Sequence, residues 1–144
     1  MNATLPTTST STGEHAKTVA RSFFERFDAN DIDGAVALLA DDACYWLAGK
    51  PELLPSAGPH DKQQMAELFR RMTVRMTDGL RMTVKSAIAE GDRAALEIES
   101  CGALKNGRIY RNEYHVLVTV RGDHIAAVKE YYDTQHVHAT WFQA

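Results

Sequence analysis

The sequence predicts an α+β fold, and two observations carry that reading. Apolar residues recur at helical spacing through the first half of the chain. Beyond Asp78-Gly79 the period drops to two, in segments separated by glycine-containing turn pairs. Helices first and strands afterwards point to a curved, mainly antiparallel sheet packed on its own N-terminal helices, and not to a parallel, doubly wound sheet. A chain of 144 residues fits one domain. Such a chain buries about 70% of its unfolded surface, enough for one core with a pocket hollowed into it.

Residues 1–12 (MNATLPTTSTST) are polar, rich in Ser and Thr, and carry Pro6, so they read as a disordered tail ahead of a single domain over 13–144. Thr12 offers a helix cap, and Ala16, Val19, Ala20, Phe23, Phe24 and Phe27 follow on one helical face. Asn30 or Asp31 caps a shorter second helix through Ile32, Val36, Leu38 and Leu39. Ala43 to Leu47 has strand composition, and Pro51, Pro55, Gly58 and Pro59 mark a loop. Asp61 caps a third helix carrying Met65, Leu68, Phe69 and Met72, which is expected to end near Asp78-Gly79.

Four strands are then predicted: Leu80 to Glu90, Arg93 to Leu104, Ile109 to Arg121 and His124 to Asp133. Gly91-Asp92, Asn106-Gly107 and Gly122-Asp123 supply the hairpin turns. Alternation assigns Ala94, Leu96, Ile98, Ser100 and Gly102 to the inner face, with Asn112, Tyr114, Val116, Val118 and Val120 beside them. It sends Glu97 and Glu99 outward, unless a one-residue bulge turns them in. The last strand is ambiguous: Ile125, Ala127, Lys129, Tyr131 and Asp133 share one phase, and Ala126, Val128, Glu130 and Tyr132 the other. Glu130 is assigned to the face away from the pocket. Apolar residues on the outer face, Val128, Leu117 and Ala95 among them, suggest a homodimer packed sheet to sheet.

Sixteen Lys and Arg against nineteen Asp and Glu, without a basic stripe, argue against nucleic acid as a partner. The longest apolar stretch, Ala35 to Ala40, is far short of a membrane span, and the N-terminus carries no signal pattern, so a cytoplasmic protein is expected. Cys44 and Cys101 lack metal-ligand spacing and are expected as buried, reduced thiols. No serine-nucleophile elbow, P-loop or dinucleotide glycine motif is present.

Several strings then carry a resemblance. Phe24-Glu25-Arg26-Phe27-Asp28-Ala29-Asn30-Asp31 leads into Leu39-Ala40-Asp41-Asp42-Ala43. Trp46-Leu47-Ala48-Gly49-Lys50-Pro51, Tyr110-Arg111-Asn112-Glu113-Tyr114 and Glu130-Tyr131-Tyr132-Asp133-Thr134 follow in order. The chain resembles the nuclear transport factor 2-like superfamily, in the branch of the SnoaL-like polyketide cyclases, ketosteroid isomerase and limonene epoxide hydrolase. The resemblance implies a conical α+β barrel, commonly dimeric, whose mouth opens into an apolar pocket. It also implies cofactor-free acid/base chemistry on a small hydrophobic molecule, of the isomerase, cyclase, dehydratase or hydrolase type. A module that has kept the pocket and lost the chemistry is the alternative.

The catalytic positions of ketosteroid isomerase correspond here to Leu47, Phe23 and His115, so its base and its tyrosine donor are missing. The hydrolase pattern keeps Tyr45 and Asp133 but places Leu47, Ile98 and Ser100 where it needs Asn, Arg and Asp. The cyclases use an acid near the end of the last strand, which matches Asp133. Asp133 and Tyr45 are therefore the expected catalytic residues. Asn112, Tyr114, Tyr131, Trp46 and His136 are expected to bind the substrate. Asp133 reads equally well as the cap of the helical segment after it, and Asn112 as a satisfied core polar group. His136 and His138 supply no complete ligand set, so neither a metal nor a cofactor is expected.

Overall fold

A computed structural model describes residues 8–144, with side chains from residue 12 onward. The predicted tail over 1–12 falls largely outside the described residues. The first helix, α1 (Thr8–Asp28), begins ahead of the expected Thr12 cap. Its predicted stripe, from Ala16 to Phe27, is buried throughout. The helix ends because Asn30 takes a left-handed backbone (φ 62°), a conformation its short polar side chain tolerates. The Asn30 N–H then bonds the Phe27 carbonyl at 2.9 Å and the Asp31 N–H bonds the Arg26 carbonyl at 2.8 Å. Asp31 rather than Asn30 caps α2 (Ile32–Ala37), its carboxylate accepting from the Gly34 N–H at 3.0 Å.

The strand β1 (Leu39–Leu47) starts earlier than its composition suggests. Tertiary pairing extends it: Leu39 lies opposite Ile125, and the Ile125 N–H bonds the Leu38 carbonyl at 2.8 Å. The predicted loop after it contains a short strand, β2 (Gly58–His60), paired antiparallel with β1. Asp61 and Gln64 form a reciprocal capping box on α3 (Lys62–Val74), which stops before the predicted end. The strands β3 (Arg81–Glu90), β4 (Arg93–Ala103), β5 (Ile109–Arg121) and β6 (His124–Tyr132) match the four predicted segments closely. After them come α4 (Thr134–Val137) and a π-helical turn over His138–Phe142.

The six strands form one curved open sheet in the order β2-β1-β6-β5-β4-β3. Only β1 and β6 run parallel; every other neighbouring pair is antiparallel. Helices α1 and α3 cover the inner face, and the core between them is built on Phe23, Phe24, Phe27, Met65, Phe69, Leu96, Ile98, Val116 and Val118. At the far end of α1, the Asp28 carboxylate accepts from Arg81 Nε and from the Met82 N–H, each at 2.8 Å, tying the helix to the start of β3. The Arg81 hydrogen bond holds the Asp28 carboxyl below the usual carboxylate range, against the opposing effect of partial burial. That stability is present above the ordinary carboxylate pKa and lost as pH falls through the depressed one. Arg81 is solvent-exposed, so Asp28→Ala is expected to cost only about 1 kcal/mol, measured by urea denaturation near neutral pH. The loss is expected to vanish in strong acid.

Two expectations about faces are corrected here. Along β5 each residue meets its partner on β6 until Thr119 pairs Ala127 and Val120 pairs Ile125, which leaves Ala126 as an extra residue in β6. This bulge puts Ile125 on the same face as Val128, Glu130 and Tyr132. Val128 and Glu130 are therefore buried inside the sheet, not on its outer face. In β4 the alternation is unbroken: Glu97 and Glu99 point outward and bond Ser86 Oγ (2.6 Å) and Lys85 Nζ (3.1 Å). Cys44 and Cys101 are free but exposed, because each stands on the outward phase of its strand, beside buried Tyr45 and Ser100.

Candidate active site

The inner face of the sheet and the two long helices enclose a cavity of about 340 Å³. Phe23, Phe24 and Phe27 from α1 and Met65, Leu68, Phe69 and Met72 from α3 form its apolar wall. Tyr45 from β1, Tyr110 and Tyr114 from β5, and Glu130 and Tyr132 from β6 form the polar one. Val137 and Trp141 from the C-terminal segment close one side. The lining residues that reach solvent, Pro55, Arg71, Arg75 and Phe142, mark the mouth. An apolar hollow with a few convergent polar groups is the usual form of a small-molecule site.

Among the described residues, Glu130 is the one carboxylate in this lining, and it is 7% exposed. The Tyr45 hydroxyl donates to its Oε2, and no other described residue forms a side-chain hydrogen bond with it. Burial disfavours the charged form and pushes the Glu130 pKa up to about 7, partly offset by the Tyr45 hydroxyl. A carboxyl balanced between its two forms near neutral pH can take a proton or give one. Burial, and then the Glu130 charge, push the Tyr45 phenol well above its ordinary value. Burial likewise raises Tyr110 to about 12 and lifts Tyr114 and Tyr132. All four phenols therefore remain hydrogen-bond donors across the physiological range.

Packing fixes their positions. Phe23 and Phe69 hold the Tyr45 ring at centroid distances of 6.1 and 5.9 Å. Tyr110 and Tyr114 share a hydrogen bond between hydroxyls at 2.7 Å, and the Asn112 side-chain amide donates to the Tyr110 hydroxyl at 3.1 Å. Either hydroxyl can be the donor of that bond; when Tyr110 donates, the Tyr114 hydroxyl hydrogen is left for a ligand oxygen. Tyr132 packs against Tyr114 at 5.5 Å.

Of the residues expected from the sequence, Tyr45 and Tyr114 line the cavity and the rest do not. Asp133 is exposed and lies past the end of β6. Its carboxylate accepts from the His136 N–H at 3.1 Å as the cap of α4, so it serves the helix and not the cavity. Asn112 is buried beside the cavity with its amide saturated: Nδ2 also donates to the Asp133 carbonyl, and Oδ1 accepts the N–H groups of Glu113 and Asp133. Tyr131 and Trp46 stand on the outer face, ring centroids 5.2 Å apart, with Lys129 Nζ 4.8 Å from the Trp46 ring. His136 stacks on Tyr110 at 5.4 Å from behind, its Nε2 accepting the Arg111 N–H.

Glu130, Tyr110 and Tyr132 were not anticipated. The signal for Glu130 was its phase with Val128 and Tyr132, which becomes an inward phase once Ala126 bulges. Among the described residues, no three His, Cys, Asp or Glu side chains converge as a metal site would need. No helix there is long and apolar enough to cross a membrane.

The chain matches the family model described as a SnoaL-like domain over residues 20–128, so Glu130 stands just beyond the matched stretch. Solved structures with the same fold include a nuclear transport factor 2-like protein from Burkholderia xenovorans. It is 21% identical, covers 89% of this chain and 96% of its own, and has a TM-score of 0.68. PrhC from Penicillium brasilianum is 15% identical over 90% of this chain and 87% of its own, at a TM-score of 0.78. IdmH from Streptomyces antibioticus, described as a candidate polyketide cyclase, is 20% identical over 87% and 96%, at 0.70. Among curated proteins, none matches the chain in sequence. At these identities the structures establish a nuclear transport factor 2-like fold, and with the family match the conclusion is direct: the chain belongs to the SnoaL-like family.

Proposed function

We propose that this protein is an acid/base enzyme for a small, largely apolar carbonyl compound, with Glu130 as the group that moves the proton. The observation that carries the proposal is a buried carboxyl, balanced near pH 7, on the wall of an apolar cavity and held by one phenol. The Glu130 carboxylate takes a proton from the carbon next to the substrate carbonyl. The negative charge passes to the carbonyl oxygen, where the Tyr114 hydroxyl stabilises it by donating a hydrogen bond. Return of the proton to the same carbon gives exchange, and return elsewhere gives isomerisation. Attack by the enolate carbon on a second carbonyl opens its C=O π bond and closes a ring, and the alkoxide so formed takes the proton back from Glu130. The likeness to a candidate polyketide cyclase supports this substrate class.

The test is solvent-deuterium incorporation into a panel of aryl ketones and cyclic diketones, followed by proton NMR. The wild type is expected to exchange the acidic carbon-bound hydrogens, and Glu130→Gln to fall to background. Asp133→Asn is expected to keep the rate. Loss of exchange in Asp133→Asn with retention in Glu130→Gln would reverse the assignment. Saturable ligand binding with no exchange would instead favour a non-catalytic binding module.

We also propose a homodimer through the outer sheet face. There Ile88, Ala95, Leu117, Lys129 and Trp46 are successive cross-strand neighbours in one row, and Ile88 is 73% exposed. Sedimentation at micromolar concentration is expected to give a dimer, and Leu117→Glu a monomer. A monomeric wild type would remove this proposal. The two free cysteines support a reducing compartment, and we propose the cytoplasm.

A further inference from the structure

The deep end of the cavity and its mouth differ in charge. Inside stand one near-neutral carboxyl and the phenols. At the mouth stand Arg71 and Arg75, four residues apart at the C-terminal end of α3 and so on one face of it. The Arg75 guanidinium is anchored: Nη1 donates to the Trp141 carbonyl at 2.9 Å, and the group lies 5.2 Å from the Trp141 ring centroid. Its other N–H groups are not used in that bond. Arg71 has no hydrogen bond or ion pair among the described residues. Glu67, one turn earlier on α3, forms no ion pair with it, and neighbouring Arg70 reaches Asp33 instead. Of the residues lining the cavity, only Glu130 is acidic, and it lies buried on the sheet side.

Resting on the cavity being a ligand site, we infer that the ligand is an amphipathic organic acid: an apolar body fills the hollow, and a carboxylate stays at the mouth between Arg71 and Arg75. Guanidinium groups favour such a carboxylate because their planar N–H donors match its two oxygens. An anchored Arg75 loses little freedom on binding, and an uncompensated Arg71 has no competing carboxylate to leave. The arrangement also fixes polarity. With its acid at the rim, the molecule presents its far end to Glu130 and Tyr114, and like-charge repulsion from Glu130 disfavours the reversed pose.

The test compares phenylhexanoate with phenylhexanol, which share an apolar skeleton, by NMR titration near neutral pH and low ionic strength. The acid is expected to bind about 3- to 30-fold more tightly than the alcohol, with the advantage shrinking in salt. Arg71→Gln is expected to remove most of that advantage while leaving alcohol binding unchanged, and Arg71→Lys to retain part of it. Arg71 bonds to no other described residue, so circular dichroism is expected to show these variants folded. Equal binding of acid and alcohol, or an advantage that Arg71→Gln leaves intact, would overturn the inference while the cavity remained a ligand site. Failure of both probes to bind would remove the cavity as the site, and this inference with it.

Discussion

Glu130→Gln is expected to stabilise the protein above neutral pH while stopping proton transfer. The Glu130 carboxyl sits at about 7 when folded and has an ordinary value of 4.5. Below the ordinary value both states hold the proton and burial carries no charge penalty. As pH rises from there toward 7 the unfolded chain ionises first, so stability falls, and above 7 the full penalty is present. A shift of this size corresponds to a loss on the order of 3 kcal/mol. Glutamine keeps an oxygen to accept the Tyr45 hydroxyl and carries no charge, so it escapes this loss. Its amide has its own desolvation cost, which leaves a net gain of about 1 kcal/mol or more in alkaline solution. Urea denaturation of both proteins at acid and alkaline pH measures it. A wild type of constant stability across that window would show that Glu130 is not held protonated, and the acid/base assignment would lose its foundation.

Trp141→Ala is expected to weaken both the fold and the site. The indole is 8% exposed, meets Tyr110 edge-on at 5.4 Å and lies against the Arg75 guanidinium, which also bonds its carbonyl. Truncation removes this packing at a cost of about 3 kcal/mol. It also opens one side of the cavity, and water reaching Glu130 would relieve the desolvation that raises its pKa. Denaturation reads the first effect. Carbon-13 NMR titration of the Glu130 carboxyl reads the second, with a shift toward the ordinary carboxylate range. A destabilised variant with an unmoved Glu130 titration would separate the C-terminal segment from control of the site.

The predicted hairpins illustrate what local chemistry secures. Gly91-Asp92 and Gly122-Asp123 form tight turns with positive φ at each glycine, and each joins two antiparallel neighbours as predicted. The α1 stripe, the Asp61 capping box and the inward faces of β4 and β5 follow the same logic of short-range periodicity and capping. The last strand shows where that logic stops. His124 to Tyr132 has apolar residues in both phases, so a pattern of period two does not choose between them. Pairing with β5 on one side and β1 on the other chose instead, by leaving Ala126 unpaired.

The site was affected most by that one residue. Asp133 had the position expected of an acid at the end of the last strand, yet it lies where the strand gives way to α4, and its carboxylate serves the helix. Trp46 and Tyr131 had the composition of a binding surface and fell on the outer face, while Tyr114, on the inward phase of β5, and Tyr45, expected from the resemblance, line the cavity. The sequence by itself determined the α+β order, the turns and most of the inner face, because those depend on contacts between near neighbours in the chain. Tertiary structure alone decided which carboxyl is buried. A strand's facing is set by hydrogen-bonded partners far away in sequence, and one bulged residue turns Glu130 from the outer face into the cavity.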